Sequence, residues 1–413
     1  MMTGTGQRGL MNKKILFQRG DAGASAYYRM TLPAVQLKKL GYDVTISDHI
    51  SLSEFATSIK LFNGDYIRYN LLIFDIIVFQ LVWESWLVNV MKSLAGAGKT
   101  VVLEIDDDYY NIPDTYRGFK NMHPKIESKR EVTAQGVKYQ RKMYYQQDSS
   151  GQVKTKVKTH YNGFGKVKEY VPRYEKINNS KDMFREALET ASIIQVTTPE
   201  LGSLYGSNNK NVIVLPNCID NELYSGIGAD KGHEVPVIGW YGAKDRIEDL
   251  RIVCGAIPEG AKLFVGGAQD EAKEIFGDID TIGIFKPAEI PQVVNMCDIG
   301  IAPLQDYKFN AGKSDLKGLE FAAGFVPVVA SDVAPYRRWV KHGVNGLLAK
   351  TGADWVKYLK LLATDKDLRL SMAIEAKKCA ISRDIKTNIS SWIEAYNLTK
   401  EIKESKCQVL EKV

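Results

Sequence analysis

Short apolar runs alternate with amphipathic stretches along most of the chain. Runs of four to seven apolar residues are typical of buried parallel strands, and helical spacing between them predicts the crossover helices. In the first half, the predicted strands are Lys13–Phe17, Tyr42–Ile46, Asp75–Leu81, Thr100–Ile105, Ser192–Thr197 and Val212–Leu215. The predicted helices are Tyr27–Leu40 with Gly41 as its cap, Val88–Ala97, Met183–Ala191 and Pro199–Leu204. This alternation predicts a doubly wound α/β domain whose first glycine turn, 19–25, faces the ligand crevice.

The second half repeats this alternation. Strands are predicted around Val235, Leu263, Thr281, Ile299 and Val328, and helices from Ala353, from Asp367 and over Thr387–Lys403. The last helix has an apolar face made of Ile389, Trp392, Ile393 and Tyr396. Two doubly wound domains predict a cleft between the carboxyl ends of their strands, where ligands bind. The predicted division is a disordered lead over 1–11, a first domain over 12–217 with an insertion at 109–180, a second domain over 218–385, and a terminal helix over 386–413.

The region 296–350 contains the clearest candidate site. Apolar runs at Asp298–Leu304 and Val326–Ala330 predict two strands, and Ser314–Ala323 between them has helical spacing with Gly324 as its stop. The helix is entered through a loop made of Asn310, Ala311, Gly312, Lys313 and Ser314. Free backbone N–H groups, a cation and the positive end of a helix dipole suit a phosphate. Glu320 lies far enough along the helix to reach a ribose hydroxyl pair, so the pattern predicts a nucleoside-diphosphate site.

Several segments in this half resemble the carboxyl-terminal half of GT-B glycosyltransferases, most of all glycosyltransferase family 4. They are D-I-G-I-A-P-L at 298–304, L-E-F-A-A-G-F-V-P-V-V-A-S at 319–331, P-Y-R-R-W-V-K-H-G-V-N-G-L-L at 335–348, P-N-C-I-D at 216–220 and V-I-G-W-Y-G at 237–242. The resemblance runs over about 184–398. It implies two Rossmann-like domains facing a cleft, with the terminal helix crossing back onto the first domain. It also implies an EC 2.4 enzyme that uses a nucleotide-sugar, preferably a UDP-sugar, and retention of configuration.

One position departs from the family pattern. Family 4 carries two glutamates eight positions apart, and Glu320 matches the second, but Gly312 stands where the first is expected. The resemblance gives that first glutamate a contact with the transferred sugar, so the sugar contacts are in question here. The same region offers Asn310, Lys313 and Lys317, as in a subgroup with K-S-x-x-K before L-E.

The resemblance also implies roles for residues along the donor side. Lys313, with the N–H groups of Gly312 and Ser314, is the first choice for the diphosphate, and it is placed among the catalytic residues. The full predicted donor set is Gly242, Lys244, Arg246, Phe285, Asn310, Gly312, Lys313, Ser314, Lys317 and Glu320. Alternatives stay open: Lys244 and Arg246 also suit a solvated loop, Lys317 an exposed helix face, and Ile284 and Phe285 the apolar core.

In the first domain, Asp106, Asp107 and Asp108 follow a buried strand. Carboxylates at a strand's carboxyl end face the crevice, where one can act as general base for an acceptor hydroxyl; they can equally cap the next segment. Asp107 and Asp108 are the predicted catalytic pair. The first glycine turn adds Gly23, Ser25, Tyr28 and Arg29 as predicted acceptor contacts. No histidine receives a role, and the resemblance to GT-B enzymes implies no metal and no obligatory cofactor beyond the nucleotide-sugar.

The positive charge of the chain is concentrated in the insertion. Residues 117–176 hold 15 Lys and Arg against 5 Asp and Glu, a net of +10, whereas the rest of the chain has a net of −4. Strands are predicted at Val137–Tyr145 and Val153–Tyr161 around a turn at 148–151, so Lys154, Lys156 and Lys158 share one face. Seven aromatic residues are interleaved with these cations. The insertion suits a polyanion such as DNA, an anionic glycan, a lipid surface or a dimer contact, or it is a solvated hairpin.

Length and composition further restrict the class of protein. The 413 residues fit two domains, and 45% apolar with 25% charged residues is typical of a globular protein. The chain contains no run of eighteen apolar residues, which would predict a membrane span, and its first residues lack the apolar core of a signal peptide. Five scattered cysteines favour a reducing cytoplasm, which is the host's if the chain is phage-encoded.

The acceptor prediction rests on two segments and the insertion. Residues 23–29 (G-A-S-A-Y-Y-R) and 104–108 (E-I-D-D-D) look like those of bacteriophage glycosyltransferases. With the basic insertion they predict DNA modification, in which sugar is added to a hydroxymethylated base. Two alternatives are a cell-envelope polysaccharide glycosyltransferase and a DNA-binding protein whose GT-B core has lost activity. The sequence leaves the sugar, the anomer and the oligomeric state undetermined.

Overall fold

The computed structural model describes residues 13–47, 71–113, 116 and 180–396, and the backbone alone of strands at 58–60, 66–68, 125–134, 137–147 and 153–164. Predictions for the lead over 1–11 and for the chain after 396 lie outside these residues. In the described part, no helix is long and apolar enough to cross a membrane.

Six parallel strands form the sheet of the first domain. They are β1 (Lys14–Gln18), β2 (Asp43–Ser47), β5 (Ile76–Gln80), β6 (Thr100–Ile105), β10 (Ile193–Val196) and β11 (Val212–Val214), in the order β11-β10-β6-β5-β1-β2. The order reverses between β1 and β5, which places a ligand crevice at their carboxyl ends. Every residue of β5 and β6 is buried, as the continuous apolar runs predict.

The helices of the first domain begin with an irregular turn. One α turn (Ala24–Ala26) and one π turn (Tyr27–Thr31) lead into α1 (Leu32–Lys39). Gly41 follows with φ of 90°, as expected for a glycine after a helix end. The other helices are α2 (Ser85–Gly96), α3 (Ser180–Thr190) and α4 (Pro199–Tyr205). Thr198 caps α4, since its hydroxyl accepts a hydrogen bond from the Leu201 N–H.

Between these elements, the backbone describes further strands. β3 (Ser58–Lys60) pairs with β4 (Tyr66–Arg68), and β7 (Lys125–Ala134), β8 (Val137–Gln147) and β9 (Val153–Phe164) form an antiparallel sheet. The predicted positions Lys154, Lys156 and Lys158 lie on β9, but their side chains lie outside the described ones. The predicted turn at 148–151 also lies outside the described residues.

The second domain has the same architecture. Its strands are β12 (Val237–Tyr241), β13 (Lys262–Gly266), β14 (Asp280–Ile282), β15 (Ile299–Ala302), β16 (Val328–Ser331) and β17 (Gly346–Ala349), all parallel, in the order β14-β13-β12-β15-β16-β17. This is the Rossmann order, with its switch point between β12 and β15. The prediction of two doubly wound sheets is therefore confirmed. The strand β17 was not predicted.

Short and long helices cover this sheet. They are α5 (Ile247–Leu250), α6 (Gln269–Phe276), α7 (Ile290–Asn295), α8 (Lys308–Ala311), α9 (Leu316–Ala323), α10 (Ala334–Arg337), α11 (Gly352–Thr364), α12 (Lys366–Ser382) and a last helix, α13, at 385–396. Helix α9 begins two residues later than predicted, and half of the predicted loop, up to Ala311, is helix α8.

Helix α9 does end at Gly324, but for a different physical reason from the one predicted. Gly324 has φ of −89°, so it does not use the left-handed conformation; Phe325 does, with φ of 55°. A Cβ at residue 324 would lie 2.3 Å from the Val294 Cγ1 atom. Glycine is required here because α7 packs closely against the end of α9.

Buried apolar side chains join the two domains. One cluster includes Phe17 and Tyr28 of the first domain, Tyr241 of the second and Trp392 of α13. The chain leaves the first domain at Ile219, which forms a parallel bridge with Asp384 just before α13. Two further clusters lie within the first and the second domain respectively. The carboxyl ends of both sheets consequently meet at a packed junction.

Candidate active site

Three carboxylates follow β6 at the carboxyl edge of the first sheet. Asp108 accepts hydrogen bonds from the Tyr110 N–H (3.1 Å), the Asn111 N–H (3.0 Å) and the Asn111 side-chain amide (2.7 Å). Its carboxylate thus caps the next turn, which was the alternative to its predicted role as a base. Asp107 does not cap that turn: its Oδ2 atom accepts a hydrogen bond from the Tyr116 hydroxyl (3.1 Å), and its carboxylate points to the second domain.

Asp106, which was not among the predicted site residues, belongs to a polar chain at the same edge. The Gly20 N–H donates to the Gln80 side-chain oxygen (2.9 Å), the Gln80 amide donates to the Ser25 hydroxyl (3.0 Å), and Ser25 hydrogen-bonds to Asp106. Burial, reinforced by the neighbouring Asp107, raises the pKa of Asp106 to about 6. The signal in the sequence was the triple aspartate itself, and only the fold shows which of its members contacts Ser25.

The second domain contributes a cluster of cations. Lys313 follows α8, Lys317 lies in the first turn of α9, and Arg246 lies in a 3-10 turn after β12 (Lys244–Arg246). Arg246 pairs with Asp249 at 3.1 Å, and its guanidinium lies 5.9 Å from the Tyr116 ring centre. Burial, together with the positive charge of Arg246, lowers the pKa of both Lys313 and Lys317.

Lys313 and Asp107 form an ion pair between the two domains. The Lys313 Nζ atom lies 2.5 Å from Oδ1 and 2.7 Å from Oδ2 of Asp107. The ammonium also lies 4.7 Å from the Tyr116 ring centre and 4.4 Å from that of Phe309. Lys313, which is predicted to bind the diphosphate, thus contacts Asp107, which is the predicted general base, although 206 positions separate them along the chain.

Lys317 lies inside the site and not on an exposed helix face, so that alternative is wrong. Its Nζ atom lies 4.2 Å from the Trp240 ring centre and 5.6 Å from that of Tyr241. Burial, together with the charge of Arg246, lowers the pKa of Lys317 to about 7. Among the described residues it has no ion pair within 4.0 Å, so its charge is poorly compensated.

Glu320 lies one turn beyond Lys317 and is 3% exposed. The hydroxyl of Tyr28, from the first domain, donates to Oε1 at 2.6 Å, and the hydroxyl of Tyr241 donates to Oε2 at 2.6 Å. Burial raises the pKa of Glu320 to about 7, against the opposite influence of the two tyrosine hydrogen bonds. Both oxygens of the carboxylate predicted to bind the ribose are engaged by tyrosine hydroxyls.

Glycines allow the backbone after β12 and β13 to approach closely. Gly267 has φ of 88°, and a Cβ there would lie 2.5 Å from the Gly242 carbonyl oxygen. A Cβ at Gly242 itself would lie 2.8 Å from the Trp240 ring and 3.5 Å from the Lys317 ammonium. Gly242 therefore keeps open the space beside Lys317, and its place on the donor side stays a prediction.

The two apolar residues at 284 and 285 differ in burial, and only Phe285 packs against the core. Ile284 is 94% exposed, so the alternative of a core residue is wrong for it. Phe285 is half-buried, with its ring centre 6.0 Å from that of Tyr241 at 71°. Both positions lie after β14, at the outer end of the strand order on the donor side.

Other predicted residues are used by the protein itself. Lys244 is exposed and pairs with Glu271 at 3.0 Å, which fits the alternative of a solvated loop. Asn310 is buried, and its amide donates to the Gln305 carbonyl (2.9 Å). The Gly312 carbonyl accepts from the Thr198 hydroxyl (3.0 Å), so the loop contacts the first domain.

The residues predicted on the acceptor side differ in exposure. Gly23 is exposed and its N–H donates to Asp21 (2.7 Å), whereas Ser25 is partly buried. Arg29 is 1% exposed and is held by Glu104, so it lies within the domain and not on the surface of the cleft.

Sequence analysis missed the residues that join the domains. The Asn217 side chain accepts from Arg29 (3.1 Å) and donates to the Ser314 hydroxyl (2.9 Å). Arg338 pairs with Glu200 across the junction and donates to the Lys313 carbonyl (2.5 Å). Asn217 lies in the P-N-C-I-D segment and Arg338 in the segment at 335–348, which were the available signals; Glu200 gave none. Within the described residues, no group of three His, Cys, Asp or Glu side chains is arranged to hold a metal ion.

The comparisons with known proteins agree with this architecture. Residues 236–365 match the family described as Glycosyl transferases group 1, which confirms the predicted enzyme class, a glycosyltransferase. No curated protein matches the chain in sequence.

Three solved structures share the GT-B arrangement. HepE from Anabaena, in complex with UDP-glucose, has a TM-score of 0.54 at 13% identity and covers 97% of this chain and 100% of its own. Sucrose-phosphate synthase from Thermosynechococcus elongatus has a TM-score of 0.56 at 10% identity, covering 94% and 99%. A glycosyltransferase from Rickettsia africae has a TM-score of 0.55 at 12% identity, covering 95% and 99%. At these identities the likeness establishes the fold, and it confirms the predicted GT-B architecture.

Proposed function

We propose that this protein transfers a sugar from a nucleoside-diphosphate sugar, preferably a UDP-sugar, to an acceptor hydroxyl with retention of configuration. The observation that supports this most strongly is Lys317, a partly buried cation without an ion pair among the described residues, next to Lys313 and Arg246. A diphosphate supplies the negative charge that this cluster lacks. HepE, which shares the fold, has been crystallised with UDP-glucose.

The donor lies across the carboxyl ends of β12 and β15. Lys317, Arg246 and Lys313 bind the diphosphate, and Glu320 binds the ribose hydroxyls. Phe285 and the exposed residue at 284 border the nucleotide base of the donor. These assignments keep five of the predicted donor residues and give Lys244 no role, because its ammonium is exposed and paired with Glu271.

The reaction breaks the bond between the sugar C1 atom and the diphosphate oxygen, and forms a bond from C1 to the acceptor oxygen. The cations stabilise the charge that develops on the departing diphosphate. Asp107 is the base that accepts the acceptor's proton, since the Asp108 carboxylate is occupied by the turn at 110–111. Gly23 and Ser25, beside Asp106, border the acceptor.

Hydrolysis of a panel of UDP-, GDP- and ADP-sugars tests this proposal. We expect release of sugar from the UDP-sugars and a loss of at least about tenfold in kcat/KM for Lys317→Met, since hydrogen bonds to charged groups contribute about 1.5–3 kcal/mol. Lys360→Met, an exposed lysine on α11, is the matched control and should retain full activity. Absence of both hydrolysis and nucleotide binding across the panel would favour a GT-B core without activity, for which the missing carboxylate at Gly312 is the supporting feature.

For the acceptor, we propose a hydroxymethylated base in DNA, as in bacteriophage DNA modification. The support is the net charge of +10 over 117–176, with tyrosines interleaved among the cations. Cations on phosphates provide salt-dependent affinity, and aromatic rings can stack on bases. A base carrying the hydroxymethyl group would leave the stack to enter the cleft.

Transfer of radiolabelled sugar to hydroxymethylated duplex DNA, with and without residues 117–176, tests the acceptor. We expect transfer by the full chain and its loss in the deletion, while hydrolysis of the donor continues. Label that appears on lipid-linked sugar and never on DNA would instead identify the alternative, a cell-envelope polysaccharide glycosyltransferase.

A further inference from the structure

Two side chains of the first domain contact the two second-domain groups to which the donor was assigned. The Tyr28 hydroxyl donates to Glu320, and the Asp107 carboxylate pairs with Lys313. We infer that Tyr28 and Asp107 imitate the donor, occupying its ribose and phosphate contacts, and thereby set how tightly the donor binds. This inference rests on the proposed function, since Glu320 and Lys313 are donor ligands only there.

The chemistry of each contact matches the part of the donor that it replaces. A tyrosine hydroxyl donates one hydrogen bond to a carboxylate oxygen, as a ribose hydroxyl does. A carboxylate presents two negatively charged oxygens to an ammonium group, as a phosphate does. The distances of 2.6 Å at Glu320 and of 2.5 and 2.7 Å at Lys313 are those of formed hydrogen bonds.

Burial makes these contacts exclusive. Glu320 is 3% exposed and Tyr28 is 4% exposed, and Tyr241 takes the second carboxylate oxygen. A ribose can therefore reach Glu320 only where the Tyr28 hydroxyl has left it. Similarly, both oxygens of Asp107 lie against the Lys313 ammonium, so a phosphate at this cation competes with the carboxylate for its N–H donors.

The local backbone places Tyr28 where it can change position. It lies in the π turn at Tyr27–Thr31, between the glycine turn and α1. Single π turns carry an irregular hydrogen-bond pattern and are frequent at functional sites. A shift of this turn would move Tyr28 away from Glu320 while α1 stays packed on the first sheet.

Competition between the donor phosphate and Asp107 for Lys313 also has a role in the reaction, because it releases Asp107. While Asp107 pairs with Lys313, its oxygens are not available to an acceptor hydroxyl. Once a phosphate takes Lys313, the same carboxylate is free to act as the base. Donor binding then precedes acceptor activation.

Binding of UDP and of inorganic pyrophosphate to the full-length protein, measured by isothermal titration calorimetry, tests this inference. Tyr28→Phe should tighten UDP by about threefold or more, the size of one hydrogen bond, and leave pyrophosphate unchanged. Asp107→Asn should tighten both ligands by about tenfold, since a charged partner is removed. If these side chains merely supported the site, both substitutions would weaken UDP.

Two controls separate imitation of the donor from a general loosening of the junction. Tyr27→Phe removes a hydroxyl from the same turn without touching Glu320. Glu200→Gln breaks the other ion pair between the domains, that with Arg338. Both should leave UDP affinity unchanged, and unfolding temperatures verify that all variants are folded.

The outcomes distinguish this inference from the function on which it rests. If the wild-type protein binds UDP and the Tyr28→Phe and Asp107→Asn variants bind it no better, the inference alone is overturned. Equal tightening by Glu200→Gln also overturns it. Wild-type protein that binds neither UDP nor pyrophosphate removes both the proposed function and the inference.

Discussion

Arg29 and Glu104 form a buried ion pair in which both partners are 1% exposed. The Arg29 Nε atom lies 2.6 Å from Oε1 of Glu104, and Nη2 lies 3.0 Å from Oε2. The remaining nitrogen donates to the Leu215 carbonyl at 2.6 Å, and the guanidinium lies 6.0 Å from the Trp392 ring centre. One side chain thus connects the first sheet, the linker between the domains and the last helix.

Replacing Arg29 with alanine should chiefly reduce stability. Loss of one partner from a buried ion pair leaves an uncompensated charge and costs about 3–5 kcal/mol. Arg251→Ala is the control, because Arg251 pairs with Glu248 on the surface, and such pairs contribute about 0.3–0.5 kcal/mol. The unfolding temperatures of the two variants measure the difference. Equal temperatures would show that the buried network does not hold the domains together, and unchanged stability with lost acceptor binding would restore the predicted acceptor role of Arg29.

Donor binding should take up a proton above neutral pH. The folded-state pKa of Lys317 is about 7, so at pH 8 its amine is mostly neutral, and a bound diphosphate favours the ammonium form. Calorimetric titration of UDP in HEPES and Tris, which differ in ionisation enthalpy, measures the number of protons taken up. We expect a value between zero and one that falls to zero in Lys317→Met. The same uptake in that variant would assign the proton to another group.

Glu320→Gln should stabilise the protein more at pH 8 than at pH 5. Burial raises the pKa of Glu320 from 4.5 to about 7, so between these values the folded state binds more protons than the unfolded state. Stability contributed by this group is therefore present below about pH 4.5 and is lost as pH rises through 7. Glutamine does not titrate, which removes that loss. The difference in unfolding temperature between variant and wild type, followed from pH 5 to 8, should grow; a constant difference would contradict the raised pKa.

Gly324→Ala should destabilise the second domain, although Gly324 has an ordinary backbone conformation. Its added Cβ would lie 2.3 Å from Val294 Cγ1, and overpacking of this kind costs about 1–3 kcal/mol. Val294→Ala should recover part of that cost in the double variant. Gly352→Ala is the control, because a Cβ there meets nothing within 4 Å, and alanine in a helix is favoured by about 0.5–1 kcal/mol. Unfolding temperatures that fall equally in both variants would refute the packing explanation.

Substitution of Lys154, Lys156 and Lys158 by alanine should flatten the salt dependence of DNA binding. Each lysine that contacts a phosphate contributes about −0.9 to the slope of log K against log salt concentration. Removal of all three should therefore reduce the slope by up to about 2.7. Fluorescence anisotropy with a labelled duplex measures this slope between about 50 and 200 mM salt, the range in which such affinities change most. An unchanged slope would place DNA, if it binds, on another surface.

Both sheets follow from local features of the sequence. The apolar runs at β5, β6 and β15 are short and continuous, which suits strands buried on both faces, and the helices between them have clear apolar stripes. Strand β17 was not predicted. Lys317 and Glu320 could be placed on one helix because residues three apart share a face.

The contacts between the domains were decided by the tertiary structure. Asp107 and Lys313 are 206 positions apart, and Tyr28 and Glu320 are 292 apart, so no local pattern relates them. The sequence by itself determined the two doubly wound sheets and the residue types at their carboxyl ends, because strand and helix periodicity is local. The tertiary structure alone decided that Arg29 is buried, that Asp108 is a cap and that Asp107 pairs with a lysine, because burial and partners depend on how the two domains pack.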